Sequence, residues 1–144
     1  ENHLVEIIRK LKRPYVRYTR ADEKNVCKAD CLIIDCFGLL SSIYRYGEIS
    51  YIGGGFGVGI HKKLEAAVYG IPVIFGPKDQ KFQEAIHLIE SGGAFSVKDY
   101  DELKRLLDRM LSDEKFLHET GTNAGKYVTD NAGATNKIMS MINF

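Results

Sequence analysis

Apolar residues recur at Leu4, Val5, Ile7, Ile8 and Leu11 with the three-and-four spacing of one helix face, and Pro14 ends the pattern. The chain therefore opens on a helix over residues 2–12. Tyr15 to Tyr18 is a short β-prone run. After the polar stretch at residues 22–25, the run Cys31-Leu32-Ile33-Ile34-Asp35 is almost continuously apolar, which predicts a strand covered on both faces. The pattern then alternates: a helix over 39–46, a strand over 49–52, a helix over 61–69 and a strand over 71–75. A further helix carries Phe82, Ala85, Ile86 and Ile89, stops at Gly92-Gly93 and leads into a strand over 94–97.

Strands and helices taking turns predict an α/β fold, a Rossmann-like parallel sheet of five or six strands flanked by helices. The C-terminal third reads as helical. Asp99 stands as an N-cap three residues before Glu102, and Leu103, Leu106, Leu107, Met110 and Leu111 form one amphipathic face. Two more helices are expected over 116–128 and 135–142. With no internal repeat, low-complexity tract or linker, the 144 residues read as one domain.

Composition narrows the function. Hydrophobic residues make up 44% and charged residues 27%, as in a globular protein. Twenty Lys+Arg against 19 Asp+Glu leave a formal charge of +1, so no overall field draws the chain to nucleic acid or an anionic membrane, and any anion site must be local. No apolar run approaches the roughly 18 residues of a membrane span, and Glu1-Asn2-His3-Leu4 lacks the layout of a signal peptide, which favours a cytosolic reading. Cys27, Cys31 and Cys36 match neither a disulfide framework nor a paired zinc motif, and are expected to be buried, reduced thiols.

The chemistry concentrates in one segment. Five of the 14 glycines fall between Gly53 and Gly59: Gly53, Gly54, Gly55, Gly57 and Gly59, with Phe56 and Val58 among them. Glycine lets main-chain N–H groups approach a ligand with no Cβ between. A strand running into such a turn, then into a helix N-terminus, makes a seat for an anion. The competing reading, a tight strand-to-helix turn with no ligand, needs only one or two glycines. The dinucleotide fingerprint is absent, because the third-glycine positions hold Val58 and Ile60, and the strand ending at Phe75 runs into Gly76-Pro77 rather than an acidic residue. A P-loop is absent too, since no Lys-Ser or Lys-Thr follows the glycines.

His61, Lys62 and Lys63 open the next helix, where the macrodipole is already positive; they oppose helix stability unless an anion arrives. Each Lys is otherwise a solvated surface residue. Glu65 follows one turn later, placed to accept hydrogen bonds from ribose hydroxyls. His61 and Glu65 are two of the ligands a metal needs, and with no third close in sequence no metal is expected.

The run GGGFGVGIHKKLEAAVYGIPVIFGP over 53–77, with Asp35-Cys36-Phe37-Gly38-Leu39-Leu40 and Tyr44 upstream and Lys81-Phe82-Gln83-Glu84-Ala85 downstream, resembles the C-terminal, donor-binding domain of bacterial 3-deoxy-D-manno-octulosonic acid (Kdo) transferases. The resemblance covers about residues 30–97 by motif. It implies the C-terminal half of a GT-B glycosyltransferase that transfers Kdo from CMP-Kdo to a lipid A precursor, with inversion and without a metal or other cofactor. It also implies an acceptor-binding N-terminal domain outside these residues, which would supply the catalytic base and the membrane contact. The full-length enzyme would then work at the cytoplasmic side of the bacterial inner membrane, and this chain alone would be inactive. Donor-binding residues implied are Gly38, Leu39, Gly54, Gly55, Phe56, Gly57, Gly59, His61, Lys62, Lys63, Leu64 and Glu65. Two positions depart from the family: Ile60-His61-Lys62 stands where Gly-His-Asn is common, and Leu39 replaces a glutamate. Two other readings stay open: a GT-B enzyme using a UDP- or GDP-sugar, and a nucleotide-binding module without catalysis.

Overall fold

The computed structural model describes residues 2–53, 61–76 and 83–142, with 61–64 and 132–142 described by their backbone alone. The chain divides into two compact units, residues 1–40 and 41–144.

In the first unit, helix α1 (Asn2–Lys10) follows the apolar spacing and carries a Glu6–Lys10 ion pair of 3.0 Å. Strand β1 (Tyr15–Arg17) pairs in parallel with β2 (Cys31–Ile33), Val16 opposite Leu32. The Pro14 carbonyl accepts from the amides of Asp30 and Cys31, which sets this register. Between the strands the polar stretch forms a short helix, α2 (Glu23–Val26). A capping box forms it: the Asp22 carboxylate accepts from the Lys24 and Asn25 amides, and the Asn25 side chain accepts from the Asp22 amide.

Two expectations fail here. Strand β2 is not covered on both faces, since Leu32 is 48% exposed: a two-stranded sheet has no second layer of strands to hide it. Nor are the thiols buried. Cys27 is exposed at the end of α2, its thiol donating to the Glu23 carbonyl, while Cys31 and Cys36 are half-buried.

The second unit holds a parallel sheet in the order β3 (Ser50–Ile52), β4 (Val73–Phe75), β5 (Ala94–Ser96). Helices α4 (His61–Val68) and α5 (Gln83–Glu90) make the crossovers. The central strand β4 is wholly buried and splits its side chains by the period of two. Val73 and Phe75 join Ala66, Ala67, Ala85, Leu88, Ala94 and Ala124 in one core, whereas Ile74 joins Val97 and Met110 in another. The sheet is therefore covered by helices on both faces, as the alternating sequence predicts.

Ahead of this sheet come α3 (Leu40–Ile43) and a 3-10 turn over Tyr44–Tyr46. Helix α6 (Tyr100–Ser112) starts as expected, the Asp99 carboxylate accepting from the Glu102 amide at 2.9 Å. Its apolar face is narrower than the sequence suggests: Met110 is buried but Leu111 is 67% exposed. On α5, Leu88 rather than Ile86 fills the inward position.

The two helices expected at the C-terminus are one, α7 (Glu114–Ile142). Residues 129–134 contain Gly133 but no proline, and a single glycine costs only about 1 kcal/mol in a helix interior, too little to end it. Small residues seat α7 against α4. Gly70, at φ +70 just past the end of α4, meets Gly121 and Gly125 of α7, and Gly93 meets Ala124. A Cβ at Gly93 would lie 2.5 Å from the Ala124 backbone, so the helix rests directly on main chain.

Candidate functional site

Because β3, β4 and β5 are parallel, their carboxyl ends share one edge of the sheet, at Ile52, Phe75 and Ser96. Helix α4 starts at His61 after β3, and α5 starts at Gln83 after β4, so both point their N-termini toward that edge. In open α/β sheets ligands bind in the crevice outside the carboxyl ends of the strands. Gly53 leaves β3 there.

The glycine turn itself, Gly54, Gly55, Phe56, Gly57 and Gly59, lies outside the described residues. His61, Lys62, Lys63 and Leu64 occupy the first turn of α4 by backbone, and no acidic residue shares that turn. The positive end of the helix dipole is therefore uncompensated by any local carboxylate. Glu65 sits on the second turn, half-buried, and the next two residues, Ala66 and Ala67, are fully buried against the core.

Tyr44 is the residue that sequence reasoning placed in a motif without giving it a role. It packs against the core that contains Ala66 and Ala67. Burial pushes its hydroxyl above the usual tyrosine range, and the nearby negative charge of Glu65 pushes the same way. Tyr44 thus stays a neutral phenol within the field of the Glu65 carboxylate. No sequence spacing announces the pair, because the two residues come from different elements 21 positions apart.

Gly38 and Leu39 belong to the first unit, in a bend that follows β2. Gly38 has φ +90, a conformation that excludes most other residues, and Phe37 beside it is fully exposed. Asp35 stands just before the bend, its side chain only 5% exposed. The Asp35 carboxylate accepts from the Thr19 hydroxyl at 2.6 Å, the Thr19 amide at 3.0 Å and Arg17 Nε at 2.8 Å. The two Thr19 bonds hold the Asp35 carboxyl at about 2, below its ordinary 3.8, Arg17 adding to them and burial opposing.

This depressed value has a pH consequence. The folded state binds the Asp35 proton more weakly than the unfolded state, so the clamp contributes its full stabilisation above about pH 4 and loses it as pH falls toward 2. Protection factors of the β1 and β2 amides, which correct exchange for its intrinsic pH dependence, should fall across that window in the native chain. In an Asp35→Asn chain those amides should already exchange faster at neutral pH, and the acid step should be gone.

A cleft of about 510 Å3 lies at the other end of the strands, walled by Glu48, Tyr69, Pro72, Met110, Glu114 and His118. Its carboxylates are the wrong sign for a phosphate. No His/Cys/Asp/Glu cluster fit to hold a metal occurs among the described residues, and no helix among them is long and apolar enough to cross a membrane.

No protein-family model matches the chain. Among characterised proteins it is 39% identical over 90 residues to the 3-deoxy-D-manno-octulosonic acid transferase of Aquifex aeolicus, covering 61% of this chain and 26% of that one. With the enzyme of the same name from Rickettsia conorii the identity is 31% over 120 residues, 81% of this chain and 26% of the relative. The chain is a relative of the Kdo transferases. It spans about a quarter of the length of these Kdo transferases.

Among solved structures, the C-terminal CMP-Kdo binding domain of WaaA from Acinetobacter baumannii superposes with a TM-score of 0.72 at 20% identity, over 87% of this chain and 66% of that one. The C-terminal domain of the glycosyl transferase group 1 family protein LpcC from Francisella tularensis gives 0.60 at 19% identity, over 90% and 62%. The fold is that of the C-terminal half of a GT-B glycosyltransferase.

Proposed function

We propose that this chain is the donor-binding domain of a glycosyltransferase that moves Kdo from CMP-Kdo to a lipid A precursor, with inversion at the anomeric carbon. The observation that carries the proposal is the junction at the carboxyl edge of the sheet: β3 ends at Ile52 and runs into Gly53, α4 begins at His61, and Glu65 follows one turn in, all in a relative of the Kdo transferases. In this reading the amides of Gly54, Gly55, Phe56, Gly57 and Gly59, with the α4 N-terminus, hold the donor phosphate. Lys62 and Lys63 add positive charge, and Leu64 and Glu65 meet the nucleoside. Gly38 and Leu39 form a second donor-contacting segment, in the first unit.

Negative charge builds on the phosphate as CMP departs. Backbone N–H groups directed at such a charge stabilise it without reorganisation, on the order of 3 kcal/mol for a well-placed donor, and that is the part proposed for the glycine turn. Neither a metal nor another cofactor is required by this scheme, and no catalytic acid or base is assigned within these residues. All 144 residues act as one functional domain here. The acceptor site and the contact with the inner membrane's cytoplasmic face belong to a domain outside them.

Thermal unfolding with added nucleotides tests the assignment. CMP should raise the melting temperature more than UMP, GMP or NAD, adding about 1.4 kcal/mol at ten times its dissociation constant. A larger shift with UMP or GMP would favour a UDP- or GDP-sugar enzyme. Turnover of CMP-Kdo by this chain alone would refute the half-enzyme reading.

A further inference from the structure

The cleft at the amino ends of the strands is left unclaimed by the donor chemistry. Gly47 and Glu48 lead into β3, and Ile71 and Pro72 into β4, so it lies at the end of the sheet away from Gly53. All of its walls belong to the second unit. Its floor is apolar: Ile71, Pro72 and Met110 are buried, and Leu117 is half-buried. At about 510 Å3 the cleft falls within the range of small-ligand pockets, roughly 300–1,000 Å3.

Its rim carries two carboxylates. Glu48 and Glu114 stand exposed there, and no Lys or Arg lines the cleft. Neither carboxylate enters an ion pair among the described residues. Two cations close in sequence to Glu114 are engaged elsewhere, Lys115 with Glu119 at 4.0 Å and Arg109 over the Phe116 ring at 3.7 Å. Leu111 is a second signal. Its spacing puts it on the apolar face of α6, yet at the lip of this cleft it stays exposed. An apolar floor and lip between unpaired carboxylates fit an apolar body that ends in a cation. An anion would meet two like charges, and a neutral molecule would strip water from the carboxylates without replacing it.

We propose that this cleft is a second ligand site, for a small organic cation: an ammonium or guanidinium group on an apolar body. Tyr69 in the wall adds an aromatic ring, which also favours cations. Its concave shape suits a small molecule better than a protein partner, whose interface spreads over about 800 Å2 a side. The site shares no residue with the donor-binding reading and does not depend on it.

Nuclear magnetic resonance titration of the intact, isotopically labelled chain tests this, with phenethylammonium as the probe. Its dissociation constant should be on the order of 1 mM, with amide shifts concentrated at Glu48, Tyr69, Leu111 and Glu114. Phenethyl alcohol, the neutral isostere, should bind about tenfold more weakly, and hydrocinnamate not detectably. The double substitution Glu48→Gln with Glu114→Gln should reduce the ammonium to the affinity of the alcohol. Both residues are exposed, so the melting temperature should hold. An acetyl-Leu-Lys-Leu-amide peptide, which carries the same head group on a polypeptide, should bind no more tightly than the amine. Equal affinity for ammonium and alcohol, an unchanged affinity in the double variant, or shifts confined to other residues would overturn the site. Tighter binding by the peptide would overturn the assignment to a small molecule.

Discussion

A Gly121→Ala chain is expected to lose about 3 kcal/mol of stability, a fall in melting temperature on the order of 10 °C. Gly121 of α7 faces Gly70, the residue that ends α4 with φ +70, and a methyl group at position 121 would overlap the Gly70 carbonyl oxygen. Neither partner is a side chain that can swing away. The helices must separate, opening the core around Ala66, Ala67 and Ala124. Gly125→Ala is the control. Its Cβ would sit 3.4 Å from Gly70 Cα, an ordinary contact, and alanine suits a helix better than glycine by about 1 kcal/mol. Calorimetry should therefore find Gly125→Ala neutral or slightly more stable. Equal losses at both positions would show that the seam is not as close as described.

The second large effect belongs to Glu65. On the proposed role, in which the Glu65 carboxylate would accept from both ribose hydroxyls, replacing it by alanine should weaken CMP binding by about 3 kcal/mol, roughly a hundredfold. The fold should survive, since Glu65 is half-buried beside a core made by its neighbours Ala66 and Ala67. One spectroscopic change accompanies the loss. The Tyr44 hydroxyl should titrate lower than in the native chain, yet still above an ordinary tyrosine, because burial is the larger of the two causes that raise it. A CMP affinity unchanged by Glu65→Ala, with Tyr44 shifted as described, would remove Glu65 from the donor contacts while confirming where it stands.

The elements of this fold were largely legible because each leaves a local trace. The apolar spacing of α1, the Asp99 cap of α6 and the wholly apolar run of β4 all express interactions within a few residues. The errors share the opposite character. Whether Leu32 is covered depends on what packs over a two-stranded sheet, and whether Cys27 is buried depends on where α2 ends. Gly121 and Gly125 read locally as poor helix formers, whereas their use, close approach to Gly70, is tertiary. The candidate site divides in the same way. The start of α4 at His61 could be read from the chain, and the neighbourhood of Tyr44 and Glu65 could not.

The seam between α4 and α7 also orders events during synthesis. Residues 61–68 leave the ribosome before the surface that steadies them, around positions 121–125, which is made some fifty residues later. Until then α4 can pack only on what is already made, the strands, Tyr44 and α5. A message cut short after α6 would yield a polypeptide with all the described strands and no α7 to seat α4.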